Sequence, residues 1–227
     1  MNHKILHKLE KMIHISPQLL RNPVTLQQAI QGTFNIEIDN VSYNNIGELV
    51  DRIDDKVLHK YFGSVWKGDM AKFKYSGYAL VDEINNQKPR RVLDIGCGYH
   101  LFKDKIDNIV GIDPYNTAAD HEVALLDYHP EEKFDVTLAL GSINFGSTDK
   151  IYAELEHAVS LCNPGAVMYF RANPGLPHDK LESDWIYFYP WDSNFIVNCA
   201  EQLHVEVLDI RTDSHKNRLY FAWRKKD

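Results

Sequence analysis

The segment Arg91-Val92-Leu93-Asp94-Ile95-Gly96-Cys97-Gly98 constrains this chain more than any other. Its apolar run has the length of a buried strand, and it ends in Gly-x-Gly, where two residues without Cβ allow a tight turn and close approach of a ligand. The next apolar run closes on Gly111-Ile112-Asp113, which places a carboxylate 19 residues after Asp94. A strand running into a glycine turn aims backbone N–H groups at a ligand, and an acid about 20 residues on accepts ribose hydroxyls. Together the two signals predict a nucleoside-bearing ligand.

The residues around the turn discriminate between nucleosides. A dinucleotide site needs Gly-x-Gly-x-x-Gly, the third glycine letting helix pack on strand. That position is Leu101 here. Asp94, two residues before Gly96, would repel a pyrophosphate, whereas a carboxylate suits a ligand bearing an ammonium and a sulfonium. The charges favour S-adenosylmethionine over NAD.

Downstream of Pro89 the chain reads as short apolar runs separated by connecting segments, at 91–95, 108–112, 123–126, 134–140, 166–170, 205–210 and 219–223. Helical spacing appears at about 150–162 and 193–203. The last two runs are joined by Thr212-Asp213-Ser214-His215-Lys216-Asn217, too short for a crossover helix, so they must be antiparallel. This predicts an α/β fold with a seven-stranded, mostly parallel sheet that ends in an antiparallel hairpin. Upstream, apolar spacing is mainly helical: 3–15, a helix from Asn22-Pro23 stopped by Gly32, 46–61 closed by Gly63, and 69–85 capped by Asp69. Phe34, Ile36 and Ile38 alternate as in a short strand. The expected organisation is a helical extension at 1–75 and a second domain at 76–227.

Val92-Leu93-Asp94-Ile95-Gly96-Cys97-Gly98 resembles motif I of the class I S-adenosylmethionine-dependent methyltransferases, and 76–227 is similar to that family in strand order. The resemblance implies a Rossmann-like fold in which Asp94, Gly96, Cys97 and Gly98 line the methionine moiety and Asp113 and Pro114 meet the ribose. It implies that Asp127 and Tyr128, after the third strand, reach the adenine, and that Gly141 and Ser142, at the exit of the fourth, face the cofactor. Cys162-Asn163-Pro164-Gly165-Ala166 resembles the family's turn before strand five. The chain departs from the pattern at His100, where the family often has a further glycine. The stretches 101–107 and 114–121 are also short for the family's first two helices.

Around this frame, Tyr75, Tyr78, Asn144, Arg171, Asn173 and Trp185 are candidates for substrate contact, Trp185 as part of the aromatic run Trp185-Ile186-Tyr187-Phe188-Tyr189-Pro190-Trp191. That run reads equally as a substrate wall or as core. Cys97 reads as a small packing residue rather than a nucleophile. His100 and His129 border the expected cleft and read either as a general base or as local hydrogen-bond partners. His3 and His7 have helical spacing without a third ligand, so no metal site is expected. Methyl transfer forces no catalytic residue, because alignment and water exclusion supply most of the rate.

Net charge is −7, the wrong sign for gripping a phosphate backbone, and Ser142-Ile143-Asn144-Phe145 lacks the prolines of amino-methylating DNA enzymes. The expected acceptor is therefore a small molecule or a protein rather than nucleic acid. No stretch approaches the ~20 apolar residues that span a bilayer. Three scattered cysteines fit a reducing compartment, so a cytoplasmic protein is expected. Two other readings stay open: a protein that binds S-adenosylmethionine without turnover, and a nicotinamide-dependent oxidoreductase on a similar fold.

Overall fold

A computed structural model describes residues 1–42, 45–178, 181–212 and 217–227. The chain divides into two compact units, Met1–Trp66 with Pro177–Tyr187, and Lys67–Leu176 with Phe188–Asp227.

The first unit is helical. Helices α1 (His3–Ile15), α2 (Pro23–Phe34) and α3 (Ile46–Lys60) bury Ile5 and Leu9, Leu26 and Ile30, and Leu49, Val50, Ile53 and Val57 along one stripe each. Asn2 caps α1 by accepting from the Lys4 and Ile5 amides, while its own amide donates to Asp54 and to the Trp185 carbonyl, both at 2.8 Å. Trp185 also meets the Phe34 ring edge-on at 4.8 Å. Gly32 does not stop α2. The helix runs on to Phe34 and ends at Asn35 in the left-handed conformation, φ 52°. Ile36 and Ile38 are buried, but no strand forms there among the described residues, because no neighbouring chain pairs with them.

The expected helix at 69–85 is broken as well. Gly77 holds φ +61°, and a Cβ there would overlap the Met70 carbonyl, so the chain makes two short 3-10 turns, Met70–Lys72 and Gly77–Leu80, before α4 (Val81–Asn86).

Among the described residues the second unit has six strands: β1 (Val92–Ile95), β2 (Ile109–Ile112), β3 (Phe134–Ala139), β4 (Cys162–Ala172), β5 (Val205–Thr212) and β6 (Leu219–Lys225). Their order is β2-β1-β3-β4-β6-β5. The first four are parallel, and β6 runs antiparallel to both β4 and β5, as the short link required. Residues 213–216 of that link lie outside the described residues.

Alternation along the strands separates two cores. Leu93, Ile95, Met168, Phe170 and Phe221 meet α5 (Thr148–Ser160) and α6 (Ser193–Gln202) on one face. Val92, Val136, Leu138 and Tyr169 meet α4, Phe102 and Ile106 on the other.

The seventh expected strand, at 123–126, does not form. A parallel neighbour for β2 needs a crossover of a dozen or more residues, and only seven separate Asp113 from His121. The chain makes one parallel bridge, Ile112 to His121, and then turns at Leu125–Asp127. β2 is thus left as an edge strand.

Candidate functional site

At the carboxyl ends of β1 and β3 the backbone adopts conformations that glycine tolerates best. Gly96 and Gly98 hold φ at +68° and +56°. The Gly96 and Cys97 amides both donate to the Ile112 carbonyl, at 2.8 and 3.0 Å, so the turn is stitched to the end of β2. A Cβ on Gly96 would overlap the Ser142 side chain, which means the exit of β3 presses directly on the turn.

Asp113 is 6% exposed and accepts from the Gly98 amide at 2.9 Å and the Tyr115 amide at 2.8 Å. Asp94 is 3% exposed on the neighbouring strand, and β1 pairs Asp94 with Gly111, two residues before Asp113. Burial, reinforced by the charge of Asp113, raises the Asp94 carboxyl to about 7. A buried acid of this kind gains most from a cation placed beside it. The Ser142 hydroxyl is buried and has no hydrogen-bond partner among the described residues. Asp94, Gly96, Gly98, Asp113 and Ser142 therefore converge, and they offer two carboxylates and a hydroxyl around a turn whose amides are held by the Ile112 carbonyl and Asp113.

Cys97 belongs to the same turn but is chemically quiet. Burial first, then the charges of Asp94 and Asp113, push its thiol far above the ordinary range, so no thiolate forms near neutral pH. Gly141 holds φ +114°, and a Cβ there would stand 3.1 Å from a terminal nitrogen of Arg171, whose guanidinium lies 4.2 Å from the Phe73 ring centre. Arg171 and Phe73 thus cover the exit of β3. Helical spacing at 69–85 reads Phe73 as a residue buried on a helix face; the turns that replace that helix set it against Arg171 instead.

The remaining candidates lie in varied settings. Pro114 follows Asp113 and is half-buried. Asp127 is exposed in the 3-10 turn after the single bridge, while Tyr128 buries its ring in the core and its carbonyl accepts from His157 at 2.9 Å. Asn144 and Asn173 are buried and bind backbone. The Asn144 side chain accepts from the Asn173 amide at 2.8 Å, and Asn173 brackets Leu176 through both its amide nitrogen and its oxygen. Tyr75 packs against Tyr220 on β6, and Tyr78 lies edge-on to Phe102. Trp185 belongs to the helical unit. His100 is buried beside the turn, and His129 is exposed and lies edge-on to His157. His3 and His7 are exposed on α1, and among the described residues no group of three or more His, Cys, Asp or Glu is arranged to hold a metal ion.

The same fold recurs in solved structures. The chain superposes on the Burkholderia thailandensis 1,6-didemethyltoxoflavin-N1-methyltransferase, solved with 1,6-didemethyltoxoflavin and S-adenosylhomocysteine, with a TM-score of 0.60 at 15% identity; 85% of this chain and 94% of that one are covered. The fold is that of the class I S-adenosylmethionine-dependent methyltransferases.

A second methyltransferase of this fold is similar over 76% of the chain. It is the magnesium protoporphyrin IX enzyme of Synechocystis PCC 6803, solved with bound S-adenosylhomocysteine (TM-score 0.55, 11% identity, all of that chain covered) and with S-adenosylmethionine (TM-score 0.54, 13% identity, 97% covered). No family model matches the sequence, and no curated protein matches it. The methyltransferase fold is thus reached here with little shared sequence. No helix of the described residues is long and apolar enough to cross a membrane.

Proposed function

We propose that this chain is an S-adenosylmethionine-dependent methyltransferase acting on a small molecule or a protein side chain, and that its chemistry resides in the sheet unit. The observation that carries the reading is the pair of buried carboxylates, Asp94 and Asp113, at the ends of adjacent parallel strands beside a left-handed glycine turn. A cofactor with two ribose hydroxyls and two positive centres matches that pair, and a pyrophosphate does not.

The residues present fit the group. Asp113, already fixed by two backbone N–H bonds, is oriented to accept the ribose hydroxyls. Asp94 and the turn 96–98 take the methionine end. The orphaned Ser142 hydroxyl finds a partner there. Gly141 lets Arg171 lie close against the exit of β3, and Asp127 with Tyr128 takes the adenine side. When bound, S-adenosylmethionine supplies a methyl group already activated on sulfur. The protein then has to align the acceptor and exclude water. Arg171, stacked on Phe73 beside Gly141, is the polar group best placed to orient an acceptor. Net charge −7 weighs against a nucleic-acid acceptor. Free, buried Cys97, Cys162 and Cys199 suit a reducing, cytoplasmic setting.

Calorimetry with S-adenosylhomocysteine tests the site. Binding in the micromolar range or tighter is expected, abolished by Asp113→Ala and strongly weakened by Gly96→Val, whose side chain would collide with Ser142. Unchanged binding in both variants refutes the assignment. A labelled-methyl assay on fractionated extract then finds the acceptor. Tight binding with no incorporation in any fraction would instead indicate a protein that binds the cofactor without turnover, and competition by NAD an oxidoreductase.

A further inference from the structure

We infer that Asp120 is a positioning residue that clasps the glycine turn to the open edge of β2, in the place of the third strand and first helix that this chain lacks. The inference rests on the cofactor reading above, because its consequence is the placement of Gly98 and Asp113.

Between β1 and β2 the chain forms turns only, with no helix among the described residues. Apolar pins hold one side of that stretch, through buried Phe102 and Ile106. Its other side is polar, and β2 is an edge strand whose outward backbone groups need partners. Asp120 satisfies them twice. Its amide donates to the Gly111 carbonyl at 3.0 Å, and its carboxylate accepts from the Gly111 amide at 2.9 Å. The same residue therefore completes both edge groups of Gly111, as a paired strand would.

The second carboxylate oxygen reaches back to the turn segment and accepts from Lys103 Nζ at 2.6 Å. His100 completes the contact. It sits in the left-handed region at φ 51°, its Nδ1 lies 3.5 Å from Asp120, and its ring packs so closely on Gly111 that a Cβ there would stand 2.8 Å from Nε2. Against the upward push of burial, the Lys103 bond and the Gly111 amide hold the Asp120 carboxyl below its ordinary value, so it stays ionised. One carboxylate thus ties Lys103 of the turn to the strand that ends in Asp113, with the His100 ring packed against both the carboxylate and that strand. Gly98, whose N–H binds Asp113, lies just ahead of these clasped residues. His100, where the family often has glycine, becomes intelligible as part of this clasp.

The test compares Lys103→Met, Lys103→Arg and Asp120→Asn. Lys103 is largely exposed, so its replacement carries little risk to folding. In low salt, affinity for S-adenosylhomocysteine should fall about threefold to fivefold in Lys103→Met, the scale of a partly exposed ion pair, and return in Lys103→Arg. Asp120→Asn, which keeps an oxygen for Gly111 but loses the charge, should fall about tenfold. Added salt should lower wild-type affinity more than that of Lys103→Met, narrowing the gap between them. Hydrogen exchange read in the absence of any ligand should quicken at 98–103 in the variants, with the protection of β1, β3 and β4 retained. Wild-type exchange at 98–103 in Lys103→Met and Asp120→Asn overturns the clasp, as does a loss of protection spread over the whole sheet. If wild type binds no S-adenosylhomocysteine, the cofactor reading has failed, and exchange at 98–103 alone decides the clasp.

Discussion

At Asp94, a carboxylate is buried beside a second one, and this has a measurable signature. Burial and the neighbouring Asp113 raise its carboxyl to about 7, above the ordinary value of 3.8. The folded protein therefore binds this proton more tightly than the unfolded chain does. The stability the group allows is fully present below about pH 4, declines as pH rises towards 7, and is constant beyond that. Asp94→Asn removes the penalty. The variant should melt higher than wild type at pH 8, by roughly 2–4 °C for each kcal/mol relieved, with the difference vanishing near pH 4. A ligand that sets its ammonium group beside Asp94 reverses the balance by favouring the ionised form, so wild-type affinity for S-adenosylhomocysteine should climb with pH up to about 7 and then level off, while the variant binds weakly at every pH. Calorimetry across pH 5–8 checks both statements, and a flat wild-type profile would remove Asp94 from the site. The residue-scale features of the turn were legible in advance because they are local. Gly-x-Gly after an apolar run permits a left-handed turn at no steric cost, and that is a property of the residues themselves. Overlap between Gly96 and Ser142 was not legible, since those residues are distant in sequence and meet only when β3 is laid beside β1.

Elements follow from their own sequence only where no competing contact intervenes. Helices α5 and α6 begin at Ser147 and Asp192, whose side chains accept from the Lys150 and Phe195 amides, and apolar spacing already marked both helices. The run at 123–126 has the same composition as a strand. What decides against it is the length of the connection before it, a property of the pair β2 and 123–126 and not of the run. At 69–85 the periodicity is helical, but the close approach of Gly77 to the Met70 carbonyl breaks the run into turns. Helix α1 shows how much one terminal residue can hold. Asn2 is 2% exposed, caps two amides, and donates to Asp54 and to the Trp185 carbonyl. Asn2→Ala should cost about 1–3 kcal/mol, the sum of a lost cap and unsatisfied partners. Urea denaturation should show this as a lower midpoint, with exchange in α1 accelerated first. Wild-type protection in α1 would mean the cap contributes nothing.

On the scale of the whole molecule, the helical unit is assembled from two separated pieces, Met1–Trp66 and Pro177–Tyr187. Ile186 is fully buried, and Trp185 packs on Phe34, so the second piece relies on the first for its apolar cover. A chain beginning at residue 67 should expose these side chains, bind anilinonaphthalene sulfonate more strongly than the full chain, and self-associate on gel filtration. An unchanged dye signal and a single monomer peak would show that 177–187 needs no such cover. The sequence by itself determined the features that depend on near neighbours: the glycine turn, the acids at Asp94 and Asp113, the α/β alternation, and the antiparallel final pair, which a short link leaves no other choice. Tertiary structure alone decided that the sheet stops at six strands, that Arg171 and Phe73 cover the exit of β3, that 177–187 joins the N-terminal helices, and that Asp120 closes the edge of β2. The physical reason is common to all four. Each depends on which surfaces meet across long sequence separations, and burial and backbone hydrogen-bond satisfaction settle that only when the whole chain has packed.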